Sequence, residues 1–114
     1  MKDQLYLLSP GFMNGGLGPL YCGDSVSVEG MLSFFPALRD LVEVHYIDFK
    51  RPRSALIDLL GEDHQSVPVL ILADGIAVKD GGIDPQTALG KRFLDSERLI
   101  RRYFSAQYAL PQAG

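Results

Sequence analysis

Gln65-Ser66-Val67-Pro68-Val69-Leu70-Ile71-Leu72 sets a proline at the head of a continuous apolar run. A short run without polar alternation reads as a strand covered on both faces, and Pro68 stands where a missing N–H is tolerated. A turn into a strand also suits a cis X-Pro bond. A cis Val67-Pro68 bond is expected to present the N–H and C=O of Val67 instead of pairing them in the sheet, which offers an edge to an extended peptide. On these residues alone a trans proline that opens a strand is the other reading.

Outward from this strand the chain alternates strands and helices. Gln4 to Ser9 is a short apolar run stopped by Pro10-Gly11, the first strand. Pro10 to Tyr21 is rich in glycine and has no period, which predicts a loop. Val28, Met31, Leu32 and Phe35 recur at helical spacing, Asp24 or Ser25 caps the start, and Pro36 closes a first helix that begins at or just after Cys22. Leu41 to Phe49, rich in β-branched and aromatic residues, is the second strand, and Pro52 to Gly61 a short second helix. Beyond the third strand, Val67 to Leu72, Asp74-Gly75 turns the chain, and the fourth strand is either 76–78 or 92–94, with 79–91 an irregular insertion. Asp95 or Ser96 caps a last helix that turns Leu99, Ile100, Tyr103 and Phe104 inward. The expectation is one α/β domain over residues 1–105, with a mixed four-stranded sheet (β-α-β-α-β-β-α), helices on both faces and a tail at 106–114.

Composition narrows the function classes. A length of 114 residues fits one domain, and a formal charge of −3 gives the molecule no overall field for a polyanion, so nucleic acid is not an expected partner. The apolar stretch from Val67 to Ala73 is far below the ~20 residues of a membrane helix. The run Leu5 to Leu8 lacks the length and flanks of a signal peptide, so a cytoplasmic location and no membrane partner are expected. One cysteine, Cys22, excludes an internal disulfide, so any redox partner is external.

Cys22 stands between a glycine-rich segment and a helix start, where backbone N–H groups and the helix dipole favour a thiolate. Asp24, two residues on, opposes a second negative charge there, and a small buried apolar thiol is the competing reading. His64 and Gln65 are candidates to face Cys22, with a solvated loop side chain as the other reading of His64; His45 reads as structural, and two isolated histidines give no metal-ligand spacing. Lys50, Arg51 and Arg53 form a basic cluster read as a solvated surface, with an anionic carboxylate as the other reading. Asp95 and Ser96 either cap the last helix or take the charged end of a ligand.

Together these features resemble the thioredoxin-like superfamily over nearly the whole chain. Tyr21-Cys22-Gly23-Asp24-Ser25 resembles the Cys-x-x-Ser site of monothiol glutaredoxins, usually Cys-Gly-Phe-Ser, with Asp24 in place of the aromatic residue. Leu94 to Tyr103 resembles the acidic-Ser segment with which glutathione transferases hold the γ-glutamyl end of glutathione. The whole chain is most similar to a small bacterial family of thioredoxin-like proteins of unknown function, in which Ser25 stands where a second cysteine is common. The resemblance implies a glutathione-linked monothiol thiol-disulfide oxidoreductase or transferase. Cys22 and Ser25 would be its catalytic pair, and Gln65, Val67, Pro68, Asp95 and Ser96 would bind glutathione as co-substrate. It implies no other cofactor and no metal. The iron–sulfur cluster that monothiol glutaredoxins hold between two chains is not expected without the Phe of their motif. The alternative is a catalytically silent module that binds a thiol- or disulfide-bearing peptide, or a second copy as a homodimer, along the Val67 edge.

Overall fold

The computed structural model describes residues 1–114. In chain order the elements are β1 (Asp3–Leu8), β2 (Phe12–Asn14), β3 (Leu17–Leu20), α1 (Gly23–Phe34), α2 (Leu38–Leu41), β4 (Val42–Ile47), α3 (Ser54–Leu60), β5 (Val69–Ile71), β6 (Gln86–Ala88), β7 (Lys91–Leu94) and α4 (Glu97–Gln107). Five strands make one mixed sheet in the order β4-β1-β5-β7-β6, in which only β1 and β4 run parallel. Parallel pairing follows from the crossover through α1 and α2.

Alternation along the central strands divides the core. Leu5 and Leu7 of β1, Leu70 of β5 and Leu94 of β7 pack with Val28, Leu32, Leu38, Ile100, Tyr103 and Phe104 under α1, α2 and α4. Their neighbours Tyr6, Val69, Ile71 and Phe93 point the other way, against Leu56 and Leu60 of α3. Helices therefore cover both faces, as expected. No helix is long and apolar enough to cross a membrane.

The structure corrects several expectations and decides one left open. Pro10 to Tyr21 is not a loop: β2 and β3 pair there as a separate hairpin, secured where Phe12 stacks on Phe49 at 4.4 Å between ring centroids. The sheet has five strands, not four. The fourth strand predicted at 76–78 or 92–94 is β7, while Ile76 turns back instead, its N–H donating to the Ala73 carbonyl and the Arg92 guanidinium taking the carbonyls of both. The expected insertion at 79–91 supplies β6 and the buried Ile83. The second helix starts at Ser54, after Pro52. A short helix, α2, precedes β4, and the last helix reaches Gln107, with Tyr108 and Leu110 packing on the core beyond it.

β6 and β7 are joined by Leu89-Gly90, both at positive φ, 48° and 76°. Both central positions of a tight hairpin turn need that conformation, which glycine adopts freely and leucine does not. Leu89 is also exposed, 68% of it open to solvent. Leu89→Asn is expected to stabilise the fold by roughly 1 kcal/mol, read as a higher urea midpoint at unchanged slope. An unchanged or lower midpoint would show that the turn is held by something other than local backbone preference.

Asp3, the first residue of β1, is the one buried carboxylate. It accepts from the Ala73 N–H at 2.7 Å, the Tyr103 hydroxyl at 2.6 Å and the Tyr108 hydroxyl at 3.4 Å. Burial, then the Asp3 charge, pushes the Tyr108 phenol up to about 12, and burial, then the bond to Asp3, pushes Tyr103 up as well. A raised phenol stabilises the fold fully below its unfolded value near ~10 and loses that contribution as pH rises through its folded value. Stability is therefore expected to fall between pH ~10 and about 12, and Tyr108→Phe should remove part of this alkaline slope. Equal slopes in the two proteins would show that Tyr108 does not carry it.

Candidate functional site

Cys22 is the N-cap of α1, at φ −86° and ψ 116°. Its carbonyl accepts the Val26 N–H at 3.0 Å, and its Sγ accepts the Ser25 N–H at 3.4 Å. A twelve-residue helix thus turns its positive end and one N–H toward a partly buried sulfur, an arrangement that suits negative charge. The group of Ser25 that meets the sulfur is its N–H. The Ser25 hydroxyl is buried and accepts from the Leu8 N–H at 3.1 Å, so the side chain anchors α1 to the end of β1. Asp24 is exposed, and only its backbone carbonyl is engaged, by the Ser27 hydroxyl.

The basic cluster is not uniformly solvated, which corrects the surface reading of Arg53. Lys50 and Arg51 are exposed, but Arg53 is only 9% exposed. Its guanidinium donates to the carbonyls of Phe49 at 2.8 Å and Gln65 at 2.7 Å, lies 5.9 Å from the Phe49 ring centre, and keeps a buried Nε without an acceptor. Gln65 answers from the other side: its Oε1 accepts the Arg53 N–H at 2.8 Å and its Nε2 donates to the Glu62 carbonyl. Burial holds the guanidinium below its ordinary range, the Arg51 charge adds to this, and the Cys22 sulfur opposes it. Arg53 therefore clamps the segment leading to Val67. Its alternation with exposed neighbours carried no periodic signal that would have separated it from Lys50 and Arg51.

The Val67-Pro68 bond is cis, as expected, and Pro68 is buried. Neither the N–H nor the C=O of Val67 makes a hydrogen bond within the chain, because β5 begins pairing only at Val69. Ser96 caps α4, its Oγ accepting from the Leu99 N–H at 3.3 Å, and the exposed Asp95 accepts from the Gln86 amide at 2.7 Å. Glu97, a residue sequence reasoning passed over, joins α4 to α1: it accepts from the Ser27 hydroxyl at 2.7 Å and from Arg101 at 2.8 Å. Arg101, then Ser27, holds its carboxyl below the usual range. This tie brings Asp95 and Ser96 to the end of α1 that carries Cys22.

His64 packs its ring against Phe93 at 4.9 Å, and His45 stacks on Tyr6 while meeting the Gln4 side chain at 2.6 Å. No three His, Cys, Asp or Glu side chains converge as a metal site would need. A cavity of about 440 Å³ opens beside the Arg53 segment, and a second of about 250 Å³ lies between that segment and the β2–β3 hairpin.

Residues 2–112 match a family model described as "Protein of unknown function (DUF3088)". No curated protein and no solved structure matches the chain.

Proposed function

For a chain that belongs to the DUF3088 family, whose description assigns no activity, we propose a glutathione-linked monothiol thiol–disulfide exchange at Cys22 on a thioredoxin-like scaffold. The observation that carries the reading is a sulfur that caps α1 in a chain whose cis Val67-Pro68 turn, clamped by Arg53, leaves the Val67 backbone unpaired. The strand order β4-β1-β5-β7, parallel at its first pair and antiparallel after it, supports the scaffold.

In the proposed reaction the Cys22 thiolate attacks the glutathione sulfur of a mixed disulfide. A Cys22–glutathione bond forms, the substrate's S–S bond breaks, and the substrate leaves as a thiolate that takes a proton from water. A second glutathione thiolate then attacks the glutathione sulfur bound to Cys22, releasing glutathione disulfide and the Cys22 thiolate. The net change consumes one glutathione thiol: the disulfide bond passes from the substrate to glutathione disulfide, half of which comes from the mixed disulfide, and glutathione is the only co-substrate required. The free N–H and C=O of Val67 can pair with the cysteinyl unit of glutathione, and Asp95 with Ser96 can take its amino-acid end.

Mass spectrometry after treatment with oxidised glutathione tests the reading. The native protein should gain one glutathione on Cys22, and Ser25→Cys should instead close an internal disulfide, because Cys22 and residue 25 already meet at 3.4 Å from Sγ to backbone nitrogen. A native chain that refuses glutathione while the denatured chain accepts it would favour the second reading, a silent binding module. The partial burial of the sulfur speaks for that module.

A further inference from the structure

We propose that the cavity lined by Lys50, Arg51, Arg53 and Ser54 is a binding site for the phosphate group of a small phosphomonoester. The proposal does not rest on the chemistry at Cys22, although Arg53 is also the residue that clamps the segment leading to Val67. Three cationic side chains and one carboxylate, Asp48, line the cavity, so it carries an excess of two positive charges in a protein whose formal charge is −3. A phosphomonoester carries close to two negative charges near neutral pH, and a simple carboxylate only one.

The cationic side chains are divided in their work. Arg53 spends its two terminal nitrogens on the carbonyls of Phe49 and Gln65, so it fixes the wall and contributes charge. Lys50 and Arg51 are exposed and make no hydrogen bond or ion pair with the chain. Their donors are free for a ligand, and the Ser54 hydroxyl stands beside them unengaged. Elsewhere Arg39, Arg101 and Arg102 are each neutralised by a carboxylate. Like charge from Arg51 falls on the buried Arg53, a crowding that a bound dianion would relieve. The neighbouring Glu29 does not supply that relief, because it is bound to Arg39 and to the Tyr46 hydroxyl.

Place and size agree with ligand binding. The Asp48 to Arg53 segment follows the carboxyl end of β4, parallel to β1, and crevices outside the carboxyl ends of parallel strands are where open α/β sheets take ligands. A volume of about 440 Å³ suits a phosphate with a small organic group attached.

The test is a titration of the full chain with phenyl phosphate, followed by amide NMR, alongside inorganic phosphate and malonate. Phenyl phosphate should shift the resonances of residues 46–55 with a dissociation constant of about 1 mM or tighter. The double variant Lys50→Gln, Arg51→Gln should weaken binding at least about tenfold at an unchanged unfolding midpoint, since neither side chain makes a hydrogen bond or ion pair with the chain. Binding should also weaken as pH falls below ~6, where the phosphate takes up a proton. Absence of saturable shifts, binding unchanged in the double variant, or malonate binding as tightly as phenyl phosphate would each overturn the proposal. Inorganic phosphate binding as tightly as phenyl phosphate would overturn the claim that the ligand is an ester.

Discussion

Cys22→Ser is expected to lower glutathione-dependent disulfide reduction by at least about a thousandfold while leaving the fold intact. A serine hydroxyl does not ionise near neutral pH and is a poor nucleophile toward sulfur, so the exchange loses its attacking group. The same oxygen is a better helix cap than sulfur. It can accept the Ser25 N–H that Sγ now accepts at 3.4 Å, and α1 keeps its first turn. The two readouts therefore separate, with activity collapsing and the unfolding midpoint steady or slightly higher. Wild-type turnover in the variant would remove Cys22 from the chemistry, and absence of turnover in the native protein itself would leave the silent-module reading.

The largest stability effect should come from Asp3→Ala. Its carboxylate satisfies the buried Ala73 N–H, the fully buried Tyr103 hydroxyl and the partly buried Tyr108 hydroxyl, all otherwise without partners. Each buried donor left unpaired costs about 1–3 kcal/mol, so a loss of roughly 3–5 kcal/mol is expected from urea denaturation. The contacts span one hundred residues of sequence, from β1 to α4, and their loss should also free the C-terminal segment from the sheet. Asp3→Asn keeps one acceptor oxygen and should lose about half as much. A loss below about 1 kcal/mol for Asp3→Ala would mean that water replaces the carboxylate at this site.

What the sequence by itself determined was whatever rests on neighbouring residues. The apolar run after Pro68 marks β5, the spacing of Val28 and Leu32 marks the buried face of α1, and Ile100, Tyr103 and Phe104 mark that of α4, with Leu99 only half-buried. The start of α1 at Cys22 was legible for the same reason, since periods are local, but the cap is Cys22 itself and not Asp24 or Ser25, because the sulfur accepts the Ser25 N–H. The tertiary structure alone decided the rest. Phe12 belongs to a hairpin because its ring meets Phe49, thirty-seven residues away, and β6 exists because β7 lies beside it, across a Leu-Gly turn that no common turn signal announces. Asp3 and Arg53 look like surface charges in the chain, yet both are buried, because burial of a charge depends on partners that only the folded chain brings to it.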